Sequence, residues 1–449
     1  MSDASVTIAG AGPVGTLLAL LLARSGRRVQ LIERRADPRH APAGGGRSIN
    51  LALAARGLQA LAAAGMLDPI RAEMVTMRGR QLHEVDGSGA FMPYGLSATE
   101  VIYAISRSRL NAALLDAASR VAQITLRFGQ RCIGVDAERG TLTWCDETRG
   151  TVHTETTELL IAADGAGSAL RQALAERDVL QVTQEPLDHG YKELLIPAKD
   201  GGYALDPHAL HIWPRGGFML IALPNPDGSF TATLFLAERG LQSFESLDSP
   251  LAARRFFAEQ FPDALALLPD FELQFARHPQ GHLSTVYCWP WHQHRTLLIG
   301  DAAHAIVPFH GQGLNCGFED CVVLAELLTA GAVGADSAAA ACSKFERLRR
   351  PNTDAIASMA LENYREMRES VLAPDFVRRK RLSAELERQF PQRFIARYSM
   401  VMFHPEISYS EAQRRGALQE SVLDALLAAG DAAADDATSA ERLLTEAGL

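Results

Sequence analysis

The sequence predicts an α/β protein with three successive kinds of structure. Three observations carry this: a strand–helix–strand unit at the start, a punctuated series of short β runs in the middle, and helix-forming composition from Gly317 onward. The chain has 449 residues, 47% hydrophobic and 22% charged, which fits a folded globular protein and excludes a largely disordered one. At roughly 150 residues per domain, this length predicts two or three lobes.

The first element is Ser5–Gly10 (SVTIAG), a short apolar strand ending in glycine. Pro13–Gly26 (PVGTLLALLLARSG) has helical length, good helix formers and a glycine stop. Arg27–Glu33 (RRVQLIE) supplies a second strand through Val29, Leu31 and Ile32, and the order argues for a parallel sheet. Between Leu187 and Leu236 the runs Ala209–Trp213, Phe218–Leu223 and Phe230–Leu236 are separated by PRGG and PNPDGS, which predicts a mixed or antiparallel sheet. The remainder is rich in Ala, Leu, Glu and Arg, and its last residues are compositionally simple.

Composition excludes several classes. Lys+Arg 44 against Asp+Glu 53 gives a net charge of −9, with no basic excess or basic face, so no nucleic-acid partner is expected. The six cysteines (Cys132, Cys145, Cys288, Cys316, Cys321, Cys342) form no C-x-x-C pair and read as reduced thiols of a cytoplasmic protein. His292 and His294 lack a third ligand cluster, so no metal is expected. The apolar run Leu17–Ala23 is preceded by glycines rather than basic residues, which argues against a secretory leader. No run approaches the roughly 20 apolar residues of a membrane span.

Gly10, Gly12 and Gly15 form a G-x-G-x-x-G fingerprint between strand and helix. Gly10 permits the tight turn, Gly12 the close approach of a pyrophosphate, and Gly15 close packing of helix on strand. The helix N-terminus, from Val14 on, offers unpaired N–H groups and a positive dipole end. Glu33 ends the second strand about 20 residues on, where a carboxylate bonds a ribose 2′-hydroxyl, with Arg34 beside it. The motif predicts a Rossmann-like dinucleotide-binding domain and does not decide between FAD and NAD.

Two later segments decide it by resemblance. Leu159–Arg171 (LLIAADGAGSALR) and Thr296–Asp320 (TLLIGDAAHAIVPFHGQGLNCGFED) resemble signatures of the group A flavoprotein hydroxylases, which have the p-hydroxybenzoate hydroxylase fold. The resemblance implies non-covalent FAD. It places Asp164, Arg107, Asp301, Pro308, Gly311, Gly313, Leu314 and Asn315 around the cofactor. A helix N-terminus aimed at the flavin edge would stabilise the anionic reduced flavin. The segments GRSINLALAARG (Gly46–Gly57), MRGRQLH (Met77–His83), PYG (Pro93–Gly95), ISRSRLN (Ile105–Asn111), HGYKEL (His189–Leu194), ALENYREM (Ala360–Met367) and RYSMVMF (Arg397–Phe403) are similar to the kynurenine 3-monooxygenase family within that group. That similarity extends to about Phe403.

For such a family the expected reaction uses NADPH and O2 to turn L-kynurenine into 3-hydroxy-L-kynurenine through a flavin C4a-hydroperoxide. The setting would be tryptophan catabolism or NAD biosynthesis. The resemblance assigns Arg80, Tyr94, Asn363 and Tyr398 to the substrate. Arg80 suits a bidentate carboxylate clamp, the tyrosines donate phenolic hydrogen bonds, and Asn363 both donates and accepts. From residue type alone, Arg78 serves as well as Arg80, the tyrosines read equally as core, and Asn363 as a solvated helix position. Phe235 reads as a pocket wall or as ordinary core. Glu366 and Met367 share a helix face with Asn363. Phe309 and His310 precede the flavin loop and are placed near the reacting carbon, with His310 a proton-relay candidate. The aryl amine already activates the ring, so no general base is assigned, and exclusion of water is the main demand.

The expected domains are a discontinuous FAD-binding domain (1–75, 100–180 and 285–330), a substrate domain with a β-sheet (76–99 and 181–284) and a helical region capping the substrate site (331–449). The family's eukaryotic apolar C-terminal anchor is missing, so no membrane anchor is expected, and a homodimer stays open. The rival readings are a hydroxylase of another aminoaryl or phenolic acid, a flavin halogenase (disfavoured, with no W-x-W-x-x-I segment), a non-turnover flavin-binding partner protein, and an NAD-linked dehydrogenase.

Overall fold

The computed structural model describes residues 5–40, 50–330, 335–369, 374–429 and 437–449; Gly46–Ile49 of the GRSINLALAARG segment lie outside them. The chain forms two compact units. One comprises Met1–Val75, Ala104–Leu187 and His282–Asp354, the other Thr76–Tyr103, Asp188–Gly281 and Ala355–Leu449.

The first unit is built on a six-stranded sheet in the order His292–Gln293, Thr296–Leu298, Leu159–Ala162, Ser5–Ala9, Arg28–Glu33, Ile124–Phe128. Every neighbouring pair is parallel except the short edge pair His292–Gln293 with Thr296–Leu298. Val6, Ile8, Val29, Leu31 and Ile32 are buried, as two-sided burial of a parallel sheet requires. The helix Pro13–Arg24 buries Leu17, Leu18 and Leu22, and Gly26 (φ +85°) follows its end. A three-stranded antiparallel sheet (Gln130–Asp136, Thr141–Asp146, Val152–Thr156) is an addition that the sequence reading did not describe.

Within the second unit the sheet order is Gln181–Ile196, Phe230–Ala237, Met219–Pro224, Ala209–Pro214, Gly79–His83, Gly89–Pro93. Pairing is antiparallel except between Ala209–Pro214 and Gly79–His83, so the sheet is mixed. Register sorts the side chains onto two faces. Trp213, Leu220 and Leu234 align on one face, in a single core with Phe257 of the helix Pro250–Gln260, Phe261 just after it, and Phe271 and Phe275 of the helix Phe271–Arg277. Arg80 pairs with Leu210, Pro214 with Met219, Met219 with Phe235, and Phe235 with Tyr191. Arg80 and Phe235 therefore share the opposite face.

The helix Ala335–Glu369 contains the unit boundary, so Ala335–Asp354 cluster with the first unit and Ala355 onward with the second. Beyond it, Pro374–Gln389, Tyr409–Ala429 and Ala437–Glu446 share a small core of Leu382, Leu386, Leu423, Leu426 and Leu444.

Candidate active site

In the first unit the glycine fingerprint is a tight backbone corner. Gly10 sits at φ +105°, and a Cβ there would lie 2.4 Å from the Ala163 carbonyl oxygen. A Cβ on Gly15 would lie 2.0 Å from the Gly10 oxygen, so helix and strand meet backbone to backbone. A Cβ on Gly12, by contrast, would meet nothing within 4 Å. Gly12 is also the N-cap of Pro13–Arg24, so open space lies at the positive end of a helix. Val14 packs on the glycines behind it: a Cβ on Gly317 would lie 2.9 Å from its Cγ2.

Glu33 is buried and braces this corner. Its Oε2 accepts the Ala11 N–H (3.0 Å), and its Oε1 accepts the Arg35 N–H (3.0 Å) and Nε–H (2.9 Å). A carboxylate has about four lone-pair sites, which leaves room for a hydroxyl donor. Arg34 and Arg107, the latter at the start of the helix Arg107–Ser119, are exposed. Asp164 accepts the Leu170 N–H through Oδ2 (3.3 Å), whereas its Oδ1 is buried with no partner among the described residues. Burial raises the Asp164 carboxyl above its ordinary value. The open space at Gly12 and the orphaned Asp164 oxygen both fit a dinucleotide bearing hydroxyl donors.

Asp301 opens the short helix Asp301–His304, after Gly300 at φ +58°. Pro308–His310 form a 3₁₀ turn that ends at Gly311 (φ +66°), and Phe309 and His310 are buried. Gly313 and Leu314 begin the helix Gly313–Ala330. Asn315 straps this loop to the strand Asn50–Leu53 and the helix after it. Its Oδ1 accepts the Ala54 N–H (2.9 Å), and its Nδ2 donates to the Ala52 and Gly311 carbonyls (2.8 Å each). Its side-chain amide therefore shapes the loop by holding backbone.

In the second unit, Arg80, Tyr94 and Tyr398 come together. The tyrosine rings stack at 5.9 Å and 15°, and the Arg80 guanidinium lies 4.8 Å from the Tyr398 centroid and 5.8 Å from that of Tyr94. The Arg80 Nε and the Tyr94 hydroxyl are shut off from solvent without a well-formed hydrogen bond, and the two side chains and Tyr398 bear on one another. The carboxylate whose charge acts on Arg80, Glu366, is not at ion-pair distance among the described residues. Burial pushes the Tyr94 hydroxyl well above its ordinary value and raises that of Tyr398, so both stay protonated donors.

Asn363 is buried on the helix Ala335–Glu369, and its Nδ2 donates to the Met367 Sδ one turn on (3.4 Å). Glu366 pairs with Lys380 at 3.2 Å. Phe235 is buried and lies 6.3 Å, centroid to centroid, from Tyr191. Arg78, the alternative clamp, is exposed.

Sequence reasoning missed two groups. Cys132, on the antiparallel sheet, feels the charges of Asp164, Glu155 and Glu33, and burial followed by those charges pushes its thiol up to about 12. A second group, His304, Cys316 and Asp320, brings potential ligand atoms within 4.8 Å of one another. Arg349 already donates to Asp320 there (2.7 Å), so a cation already occupies that position. His292 is paired with Glu346 at 2.6 Å. No helix among the described residues is long and apolar enough to cross a membrane.

Comparison with known proteins agrees with this geometry. Residues 3–356 match the model of an FAD binding domain. A kynurenine 3-monooxygenase of Myxococcus xanthus is 49% identical over 95% of this chain and 92% of its own length. One of Stenotrophomonas maltophilia is 48% identical over 93% and 91%. The tetrameric form of 2-methyl-3-hydroxypyridine-5-carboxylic acid oxygenase superposes with a TM-score of 0.67 at 21% identity, over 84% of this chain and 96% of that one, which speaks to the fold alone. The dinucleotide corner and these matches define an FAD-dependent monooxygenase of the group A hydroxylase fold. Within that class, the chain belongs to the kynurenine 3-monooxygenase family.

Proposed function

We propose that this enzyme hydroxylates L-kynurenine to 3-hydroxy-L-kynurenine, consuming NADPH and O2. The observation that carries the reading is Arg80: a cation between the buried Tyr94 and the half-buried Tyr398, with no carboxylate at ion-pair distance, Glu366 near it being already paired with Lys380. Inward-facing charges are normally paired, so the missing counter-charge belongs to the ligand. An amino-acid carboxylate fits the fork of Arg80, and the Tyr94 and Tyr398 hydroxyls complete its hydrogen bonds.

Asn363 adds a donor and an acceptor, and Phe235, Glu366 and Met367 form the walls around the rest of the substrate. Phe309 and His310 border the flavin loop and keep water from it, with His310 available to carry a proton. Gly10, Gly12, Val14, Gly15, Glu33, Arg34, Arg107, Asp164, Asp301, Pro308, Gly311, Gly313, Leu314 and Asn315 hold FAD non-covalently. Bound FAD supplies the redox chemistry, taking hydride from NADPH and activating O2. The protein's share is to orient the aromatic amine and exclude water.

The test is anaerobic flavin reduction by NADPH with and without L-kynurenine, followed by admission of O2 and mass analysis. Fast reduction only with kynurenine, and a product heavier by one oxygen, is the expected result. Stimulated reduction that yields only hydrogen peroxide would make kynurenine an effector rather than the substrate. No stimulation would remove kynurenine from the reading and leave the FAD protein intact.

A further inference from the structure

The turn bearing Asp301 is too short to hold its own shape. Four residues make less than one stable helical segment, so tertiary contacts must orient it. The Gly300 carbonyl accepts the N–H groups of Ala303 (2.8 Å) and His304 (2.9 Å), closing the turn on itself. From outside, Arg171 Nη1 donates to the Ala302 carbonyl (2.9 Å) and the Cys288 thiol to that of Ala303 (3.1 Å). Between Asp301 and the end of the turn lie two alanines, so His304 is the one long side chain that anchors it.

His304 reaches inward. Its Nε2 lies 2.7 Å from Asp320 Oδ2, and its ring packs 5.0 Å from Trp291. Asp320 is fully buried on the helix Gly313–Ala330, the helix that starts at the flavin loop. Its other oxygen accepts Arg349 Nε (2.7 Å). Arg349 also pairs with Glu319 (2.8 Å), and Glu319 with Arg56 (3.2 Å). Arg56 belongs to the helix Ala55–Ala63, whose leading backbone Asn315 straps. The network thus joins the Asp301 turn, the flavin-loop helix and the segment around Ala54.

We propose that His304, held by Asp320, is a positioning residue for FAD: it sets the Asp301 turn relative to the flavin-loop helix, so that Asp301 and the helix N-terminus meet the cofactor together. His304 does not touch FAD in this account. It acts through Asp301.

The test is a double-mutant cycle read by fluorescence titration of the full-length apoprotein with FAD. His304→Leu weakens FAD binding about tenfold, the scale of losing one partner that orients a ligand-binding group. His304→Gln restores affinity, because its Nε2 amide occupies the donor position of the imidazole Nε2. In an Asp301→Ala background, His304→Leu has little further effect. Additive losses in the cycle, or unchanged FAD affinity in His304→Leu, would overturn the proposal. Should His304→Leu not yield folded apoprotein, His304→Asn, whose amide falls short of Asp320, takes its place in the same cycle.

Discussion

Two inward-facing arginines in this protein have opposite surroundings. In the first unit Arg349 lies between Asp320 and Glu319, donating to one at 2.7 Å and pairing with the other at 2.8 Å. In the second unit Arg80 lies beside two tyrosine rings, with no carboxylate paired to it among the described residues. Burying a charge is costly unless the protein compensates it. Arg349 is compensated in the ligand-free chain and so belongs to the architecture. Arg80 feels the charge of Glu366, which is itself paired with Lys380, and gains an ion-pair partner of its own only when something negative binds, which is what a carboxylate site requires. The pairing state of a buried charge therefore separates scaffold from site more cleanly than burial does.

The largest effect that would sharpen this contrast is at Arg349. Arg349→Leu leaves Asp320 and Glu319 without their shared cation, and removing one member of a buried network costs about 3–5 kcal/mol. Denaturant unfolding of the ligand-free variant checks this. A variant as stable as the wild type would mean that the carboxylates find other partners and the network is not architectural.

A buried base can also escape the cost by giving up its charge. His211 Nε2 lies 2.8 Å from the Asp206 carbonyl, and its Nδ1 lies 2.8 Å from His83 Nε2. Burial, the leading cause, lowers its pKa to about 4. The folded ring stays neutral while the unfolded ring takes up a proton near its ordinary value of about 6.5. Stability is therefore lost as pH falls from about 6.5 to about 4, at up to about 1.4 kcal/mol per pH unit and about 3 kcal/mol in all, and the loss levels off below that. Unfolding by urea across this range should show the slope in the wild type and a shallower one in His211→Gln. Equal slopes would assign the acid sensitivity elsewhere.

Arg80 should behave in the reverse sense to Arg349. Arg80→Ala is expected to weaken L-kynurenine binding by about 100-fold, the scale for truncating one partner of a desolvated charge pair. Arg80→Met should leave the ligand-free protein about as stable as wild type, because it removes an inward-facing charge that has no ion-pair partner and feels only the Lys380-paired Glu366. Substrate titration followed by the flavin spectrum gives the first, and thermal unfolding without substrate the second. If Arg80→Met loses stability as Arg349→Leu does, the contrast between the two arginines collapses.

The two sites were not equally legible in the sequence. The dinucleotide corner was readable because its logic is local: Gly10, Gly12, Gly15 and Glu33 occupy one strand–helix–strand unit, and spacing alone fixes their relation. Arg80 could not be told from Arg78 by residue type. What separates them is strand register, which pairs Arg80 with Leu210 and leaves Arg78 exposed just before the strand. Asn363 could have been a solvated helix position until packing buried it. The Asp320 network joins His304 and Glu319 of one signature segment to Arg56 and Arg349, which lie far from it in sequence, and no local pattern marks such a meeting. The antiparallel sheet over residues 130–156 did carry a signal, the alternation that buries Leu142 and Trp144.

The finest probe of the comparison is the Tyr94 hydroxyl. It is buried, and within the described residues only the Arg80 side chain bears on it, with no well-formed hydrogen bond, so the free protein recovers little of its desolvation. Tyr94→Phe keeps the ring, and with it the stack on Tyr398 and the contact with Arg80. Stability without substrate should then be unchanged or slightly raised. Affinity for L-kynurenine should fall by about fivefold to tenfold, the value of one hydrogen bond of about 1 kcal/mol. The sign of the two changes decides the matter. A hydroxyl that served the fold would lower stability when removed, whereas one reserved for ligand lowers only binding. Thermal unfolding and substrate titration of the same preparation read both, and a loss of stability with intact binding would place Tyr94 with Arg349 rather than with Arg80.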